Sequence, residues 1–512
     1  MKKPIIFGII LVIILVGSLA VGYSQNWFQP TETTPEPTAT PTATTTTTPQ
    51  PTETPQATQT PNPTATAQPT ATPTPTPVPS TIASMNLVLE VYGNANMDDK
   101  IDQQDVTYVN KIIAGTATST KYADANNDGK VDSNDVTQIN GIINGNASQI
   151  VLLDGLGRVL TVHLPVNRIV VEYIQQAELA RILKLEDKVV GVDYCVDKLK
   201  SIYFPENAAN IVSVGQMYTP DYEKVLALDP DVLLTFSNTA AANDEKASKL
   251  PGVDVVFLGL YYPNVTNPED SKFLQGILKA GYIFDRVTEA TDYANWLLNL
   301  TNTIRTTANA IPESQKQTVM LYTYPYSPST TIKAYATIDT LGQVCILSGG
   351  QNIVSNMTTY FNSSSVSVDA EWVIANDPDY IFLHTVAYTF SGLDYADPAQ
   401  GLNVNSITSI KQSLQTYLSQ PMFANLTAVK NNHVYIIAGD FRNNAMGGVL
   451  GAVYLAKTLY PTQFSDLNPE TIHQEYITKY LRLNYDLDTS GVFMYPGLVI
   501  NGDIVGYPNG AT

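Results

Sequence analysis

An α/β architecture of two lobes joined by one long helix, preceded by a small all-α unit, follows from three features of the 512-residue sequence. From residue 150 onward, short apolar runs of strand type alternate with helical patterns, which implies mainly parallel sheets. That alternation is interrupted once, by a long helical stretch at about 285–310, and then restarts. Ahead of it stand two copies of an oxygen-rich loop, each followed by a short helical pattern. The formal charge of −19 excludes a nucleic-acid binder, which needs a basic footprint, and suits a surface protein that meets divalent cations.

The N-terminus indicates the address. Met1, Lys2 and Lys3 precede an apolar run of 18 residues from Ile5 to Gly22, near the lower limit for spanning a membrane. Such a run is either a cleaved secretory signal or a retained anchor, and the stalk after it favours an anchor over residues 1–25. No cysteine follows the run, which excludes a bacterial-type lipid-modified cysteine. Residues 26–83 are dominated by Thr and Pro ("TETTPEPTATPTATTTTT"), cannot build a core, and extend by about 3 Å per residue. The expectation is a cell-surface protein held by an N-terminal transmembrane helix, or a secreted one if the signal is cleaved. Cys195 and Cys345 are too few for a disulfide framework and read as separate buried thiols, with a bridge still open. Sequons at Asn146, Asn264, Asn299, Asn356, Asn362 and Asn425 fit export.

The two loops are set in register by "YGNANMDDKIDQQDV" and "YADANNDGKVDSNDV". Asn94, Asn96, Asp98, the Lys100 carbonyl, Asp102 and Asp105 fall at loop positions 1, 3, 5, 7, 9 and 12, as do Asp124, Asn126, Asp128, the Lys130 carbonyl, Asp132 and Asp135. Calcium takes six to eight hard oxygens on a flexible loop, and this spacing wraps them round one ion. Gly129 supplies the sharp turn at position 6. The first copy departs twice, with Asn94 for an aspartate and Asp99 for that glycine, so two calcium ions are expected with the second loop tighter. Residues 84–147 thus resemble a type I dockerin: two loop–helix units, aspartate at position 12, and no helix before the loop. The resemblance implies docking onto a cohesin domain of another protein through Gln103, Gln104, Asn110 and Lys111, or through Ser133, Asn134, Asn140 and Gly141.

Beyond the loops, "RIVV" and "KVVGVDY" are strands with the helix "QAELARILKL" between them. "PDYEKVLALDPDVLLTF" reads as helix, Pro turn and buried strand, and "VDAEWVIANDPDYIFLHT" repeats that unit after the long helix. These segments, with the opening "DGLGRVLTVHLPVNRIVV" and the closing "LTAVKNNHVYIIAGD" and "LAKTLYPTQF", resemble the ABC-transporter substrate-binding proteins of the iron-siderophore and cobalamin type. The likeness runs over about 150–485 and implies two Rossmann-like lobes (150–284 and 313–485) on one linking helix (285–312), with 486–512 an extension of unassigned role. It further implies that Glu223 and Glu371, at equivalent helix starts, meet arginines of an ABC permease; simple capping is the alternative.

For the ligand, the resemblance points to positions near the cleft: Glu172 and Tyr173 after the first strand, Tyr194 after the next, Met217 and Tyr218 in "GQMY", Tyr261 and Tyr262 after another strand, Tyr324 and Tyr326 where the second lobe begins, His384 at the end of its strand, and Arg442 after another. Tyrosines suit a large organic complex, and an arginine can fork onto a carboxylate or acidic chelate. The implied cargo is a metal chelate such as a ferric siderophore, haem or cobalamin; His163, His384, His433 and His473 are too scattered to chelate a bare metal. No nucleophile elbow or zinc-helix motif is present, so a non-catalytic receptor is expected. A surface assembly protein on a degenerate binding fold, and a dockerin-borne hydrolase, are the alternatives.

Overall fold

The computed structural model describes residues 81–260, 263–264, 271–324, 331–357, 364–385 and 400–512. Residues 1–80 of the anchor and stalk segments, Tyr261, Tyr262, Tyr326 and Asn362 lie outside the described residues. Among the described residues no helix is long and apolar enough to cross a membrane.

The α/β part opens with an antiparallel hairpin, β1 (Gln149–Leu153) and β2 (Val159–His163). A five-stranded parallel sheet follows: β3 (Ile169–Val171), β4 (Val189–Val192), β5 (Val212–Ser213), β6 (Val232–Leu234) and β7 (Asp254–Val256), in spatial order β5-β4-β3-β6-β7. Both β3 and β6 are buried along their whole length, as expected where helices cover both faces of a parallel sheet. Reversal of strand order about β3 is the doubly wound pattern, which places function at the carboxyl ends of the strands.

The linking helix is Val287–Asn309, 23 residues, or about 35 Å at 1.5 Å per residue. Its buried stripe runs Ala290, Tyr293, Leu297, Thr301, Ile304 and Ala308, at the three- and four-residue spacing of one helix face.

In the second lobe the parallel core is β8 (Thr318–Thr323), β12 (Tyr380–His384) and β13 (Val434–Ile437). Here the expectation of mainly parallel sheet is only half met. β9 (Thr331–Tyr335) and β11 (Ser365–Asp369) pair antiparallel, and a short β10 (Gln351–Asn352) runs parallel to β8. "SVSVD" alternates buried and open positions along β11, the signature of a strand with one wet face. Beyond β13 the sheet gains β14 (Met494–Tyr495), which comes from the unassigned tail, and β15 (Leu498–Ile500) and β16 (Asp503–Val505) form a hairpin after it. The extension is therefore an edge strand of the second lobe. Cys195 and Cys345 are free and buried.

One device is used in both lobes. After each Asp-Pro turn the next aspartate ties its strand to the neighbouring strand's start: Asp231 Oδ2 accepts from Asn167 and Arg168 N–H, and Asp379 Oδ2 accepts from Thr318 N–H at 2.9 Å and its hydroxyl at 2.7 Å. Both preceding residues, Asp229 and Asp377, take positive φ (47° and 36°), so the duplicated "DPD" is a duplicated turn. Asp379→Ala is expected to cost about 1–2 kcal/mol, read as a lower urea midpoint with an unchanged slope.

The cation-loop unit contributes helices Gln103–Ile113 and Ser133–Ile143, which pack on each other through Val109 and Ile139. Leu87, Leu89 and Val91 enter the same core as the first lobe, so the unit is built onto that lobe.

Candidate functional site: strand ends and cation loops

The described sequence-predicted ligand residues lie at or just beyond strand ends, some in each lobe. In the first lobe Tyr173 follows β3 with φ of +73° and lies against Phe236, which follows β6, with ring centroids 4.3 Å apart. Tyr218 meets the same Phe236 edge-on at 5.9 Å and is 53% exposed, an open aromatic surface. Tyr194 stands apart at the start of the helix Tyr194–Tyr203, with the Lys198 ammonium 4.6 Å from its ring centre.

Glu172 is not available to a ligand in this conformation. Its carboxylate is fully buried and accepts from Lys246 Nζ at 2.7 and 2.5 Å, from the Thr235 hydroxyl and from Phe236 N–H. Burial raises Glu172 to about 7 and lowers Lys246, against the attraction between them. Lys246 also donates to the Met217 carbonyl and the Thr235 hydroxyl, and thus ties together the ends of β3 and β6 and the loop after β5. Met217, expected at the ligand, is core.

In the second lobe His384 ends β12. Its Nδ1 meets the Tyr335 hydroxyl at 2.9 Å, and by donor–acceptor geometry its Nε2 has no hydrogen-bond partner among the described residues. Burial drives its pKa down to about 3, so the ring is neutral. Arg442 is engaged: it forks onto Asp339 (Nε to Oδ1 2.9 Å, Nη2 to Oδ2 2.5 Å), and its guanidinium carbon lies 5.2 Å from the centre of the Tyr335 ring. An anionic cargo would have to share this arginine with Asp339. Tyr324, expected at the ligand, packs in the second lobe's core, and its hydroxyl donates to the Ser413 carbonyl.

Phe236, Lys246, Tyr335 and Asp339 were not foreseen. The strand-end rule that selected Tyr173 also applies to Phe236, in "VLLTF". Tyr335 ends an antiparallel strand that the pattern of apolar runs does not mark, and Lys246 lies inside a helix with no local signal.

Glu223 and Glu371 are both exposed two residues beyond an N-cap aspartate, Asp221 and Asp369, in the helices Tyr222–Ala227 and Ala370–Asn376. The caps are already made by those aspartates, which accept from Lys224 and Trp372 N–H, so neither glutamate is needed as an N-cap. One turn on, Leu226 and Ile374 are exposed at matching positions.

In the second cation loop Asp124 Oδ1 accepts from Asp128 N–H and Oδ2 from Gly129 N–H, while Asp135 accepts from Asn126 and Asp132 N–H. These bonds fold the loop between its first and twelfth positions, both of which carry ligands in calcium loops of this spacing. Among the described residues no group of three or more His, Cys, Asp or Glu side chains alone could hold a metal, so any ion here needs the mixed oxygen set. Burial raises Asp105 to about 6 and also raises Asp135. Gln103, Gln104, Asn110, Lys111, Ser133 and Asn134 are exposed; Asn140 and Gly141 are half-buried, and Gln103 Nε2 donates to Asn140 Oδ1 at 3.2 Å.

Residues 169–440 match the periplasmic binding protein family. The chain belongs to that family. Residues 92–144 match the type I dockerin domain, a calcium-binding module. Among solved structures, the chain is similar to a TroA-like periplasmic binding protein, FepB, from Veillonella parvula, at 20% identity and a TM-score of 0.52 over 67% of this chain and 98% of that one. It is also similar to the molybdate-binding protein MolA from Haemophilus influenzae, at 19% identity and a TM-score of 0.51 over 66% and 99%. At such identities the likeness is one of fold. No curated protein matches. The family is one of substrate-binding proteins of ABC transporters, and both matched modules imply an extracytoplasmic location.

Proposed function

We propose that this protein is the cell-surface substrate-binding component of an ABC importer, closing its lobes on a metal chelate such as a ferric siderophore, haem or cobalamin. The observation that carries the reading is the duplicated helix start: an outward glutamate at the same position in each of two lobes joined by one rigid helix. Tyr218, exposed and backed by the buried rings of Tyr173 and Phe236, offers an aromatic face to a large cargo, and His384 Nε2 is a buried polar atom with no hydrogen-bond partner among the described residues. The protein's part is binding and delivery without bond breaking. An N-terminal anchor at 1–25 would hold the receptor at the membrane, with the stalk as spacer.

The dockerin would take calcium most tightly at its second loop, whose ligand set carries Asp124 where the first has Asn94. It would then dock to a cohesin-bearing protein.

Titration with ferric siderophores, haem, cobalamin and molybdate, followed by quenching of aromatic fluorescence, tests the cargo. Saturable quenching by a chelate is expected; saturation by molybdate alone would move the reading to a small oxyanion. Silence across the panel would favour a second reading, a surface assembly protein on a binding fold, which the internal engagement of Glu172 and Arg442 makes specific. For delivery, E223K/E371K is expected to leave cargo affinity unchanged and to lower productive contact with the permease by at least ~10-fold, measured as stimulation of transporter ATPase. Unaltered stimulation would reduce both glutamates to ordinary surface residues.

A further inference from the structure

The two cation loops have nearly the same sequence phrase but differ in one peptide plane. In the second loop the Asp128–Gly129 peptide turns its N–H inward, and Gly129 N–H donates to Asp124 Oδ2 at 2.8 Å with φ of +90° at the glycine. In the first loop the same place holds Asn94, whose Nδ2 is a donor and cannot accept that N–H. The Asp98–Asp99 peptide is turned over. The Asp98 carbonyl accepts from Asn94 Nδ2 at 2.7 Å, and Asp99 is not among the residues of positive φ. The rest of the loop is conserved in shape: Met97 and Asn127 share φ of 60° and 57°, and Asp98 N–H and Asp128 N–H both donate at 3.1 Å to the first side chain's Oδ1.

The overturned peptide has a second partner. Asp98 O also accepts from Leu89 N–H at 2.9 Å, and Asn94 Nδ2 also donates to Leu89 O at 2.9 Å. Leu89 belongs to the segment that fastens the unit to the first lobe. Val91 bridges Leu152 of β1, Tyr92 N–H donates to Val151 O, and Leu153 N–H donates to Glu90 O. Glu90 pairs with the buried Lys279 at 2.5 Å, and Gln275 Nε2 donates to Val88 O at 2.7 Å. The loop itself touches the lobe where Tyr282 Oη accepts from Ile101 N–H at 2.8 Å. Asn94 is wholly buried at the centre of this arrangement.

We infer that the first loop is a brace: the Asn94 amide and the overturned Asp98–Asp99 peptide hold its shape in place of a cation and clamp the dockerin to the first lobe. Both departures from the loop pattern are then explained together. An amide at position 1 supplies the donor that Leu89 O and Asp98 O need. Once the peptide is turned over, position 6 no longer needs the glycine that only the left-handed conformation demands. Calcium dependence is left to the second loop; that part rests on the dockerin reading.

Hydrogen–deuterium exchange of the full chain, in calcium and in EGTA, tests this. With EGTA, residues 85–101 are expected to exchange within ~2-fold of the calcium form, while 122–144 exchange at least ~10-fold faster. In Asn94→Asp, which cannot donate to Leu89, protection of 85–101 is expected to become calcium-dependent; Asp99→Gly, which keeps Asn94, is expected to behave as the parent. Parallel loss of protection in both loops of the parent, or an N94D chain still protected in EGTA, overturns the brace. If neither loop of the parent responds to calcium yet N94D loosens 85–101, the brace stands and the calcium reading of the second loop falls.

Discussion

Lys246→Met is expected to destabilise the first lobe by roughly 3–5 kcal/mol, the cost of leaving one partner of a buried ion pair alone. Both Lys246 and Glu172 are 0% exposed, so solvent cannot rescue the orphaned carboxylate. Protonation is its escape, which the upward pull of burial on Glu172 already favours. The loss should therefore be smaller at pH 5 than at pH 8. The double change Glu172→Gln with Lys246→Met removes both charges and is expected to recover more than half of the loss, because a buried pair exchanged for neutral groups is often near neutral. Urea unfolding of the four chains of this cycle gives the coupling. A K246M chain within 1 kcal/mol of the parent would show the pair to be energetically idle. Ligand affinity should fall with stability, because Lys246 also holds the Met217 carbonyl and Thr235, which directly precede Tyr218 and Phe236.

This residue also shows where reading the sequence stops. Runs such as "RIVV" and "DVLLTF" are legible because a parallel strand covered on both faces must be apolar throughout, and no exposed loop is under that constraint. The repeated "DPD" is legible because each copy must make the same left-handed turn and the same strand staple. Lys246 is different. Within "AAANDEKASK" it is one of several charges on a polar helix, and nothing local separates it from Lys249, which is exposed and pairs with Glu245. Its meaning comes from Glu172, 74 residues away in sequence. Tyr324 fails for the opposite reason. It follows a strand as Tyr173 does, but the ring turns into the core formed with Tyr322 and Tyr417. The tail was opaque because β14 is two residues long, below the length at which periodicity exists.

The contact between the lobes should be strongest in mild acid. Glu178, on the helix Ile174–Ile182 of the first lobe, is buried with its Oε2 accepting from Ala445 N–H at 2.5 Å and from the Tyr476 hydroxyl at 2.8 Å, both beyond β13. Arg181, one turn along, donates to the Leu481 and Arg482 carbonyls and so clamps the same seam. Burial raises Glu178 from 4.5 to about 8, with the nearby Asp440 carboxylate adding to the shift, and burial raises Asp440 itself to about 6. A carboxyl whose pKa is higher folded than unfolded stabilises the fold fully below its unfolded value and loses that contribution as pH climbs through the folded one. The window is thus from about 4.5 to about 8, and thermal stability should fall across it. Glu178→Gln keeps a carbonyl oxygen for Ala445 and Tyr476 without an ionisable proton. It is expected to flatten the pH slope and to leave the variant about 2–4 kcal/mol more stable than the parent at pH 8–9. Melting curves of both chains at half-unit steps from pH 5 to 9 are the measurement. A parent whose melting point is flat over that range, or a variant that keeps the parent's slope, would remove Glu178 as the acid that governs the seam. The same experiment bears on cargo release: if the receptor opens by parting Ala445 from Glu178, cargo affinity should weaken with rising pH in the parent and not in the variant.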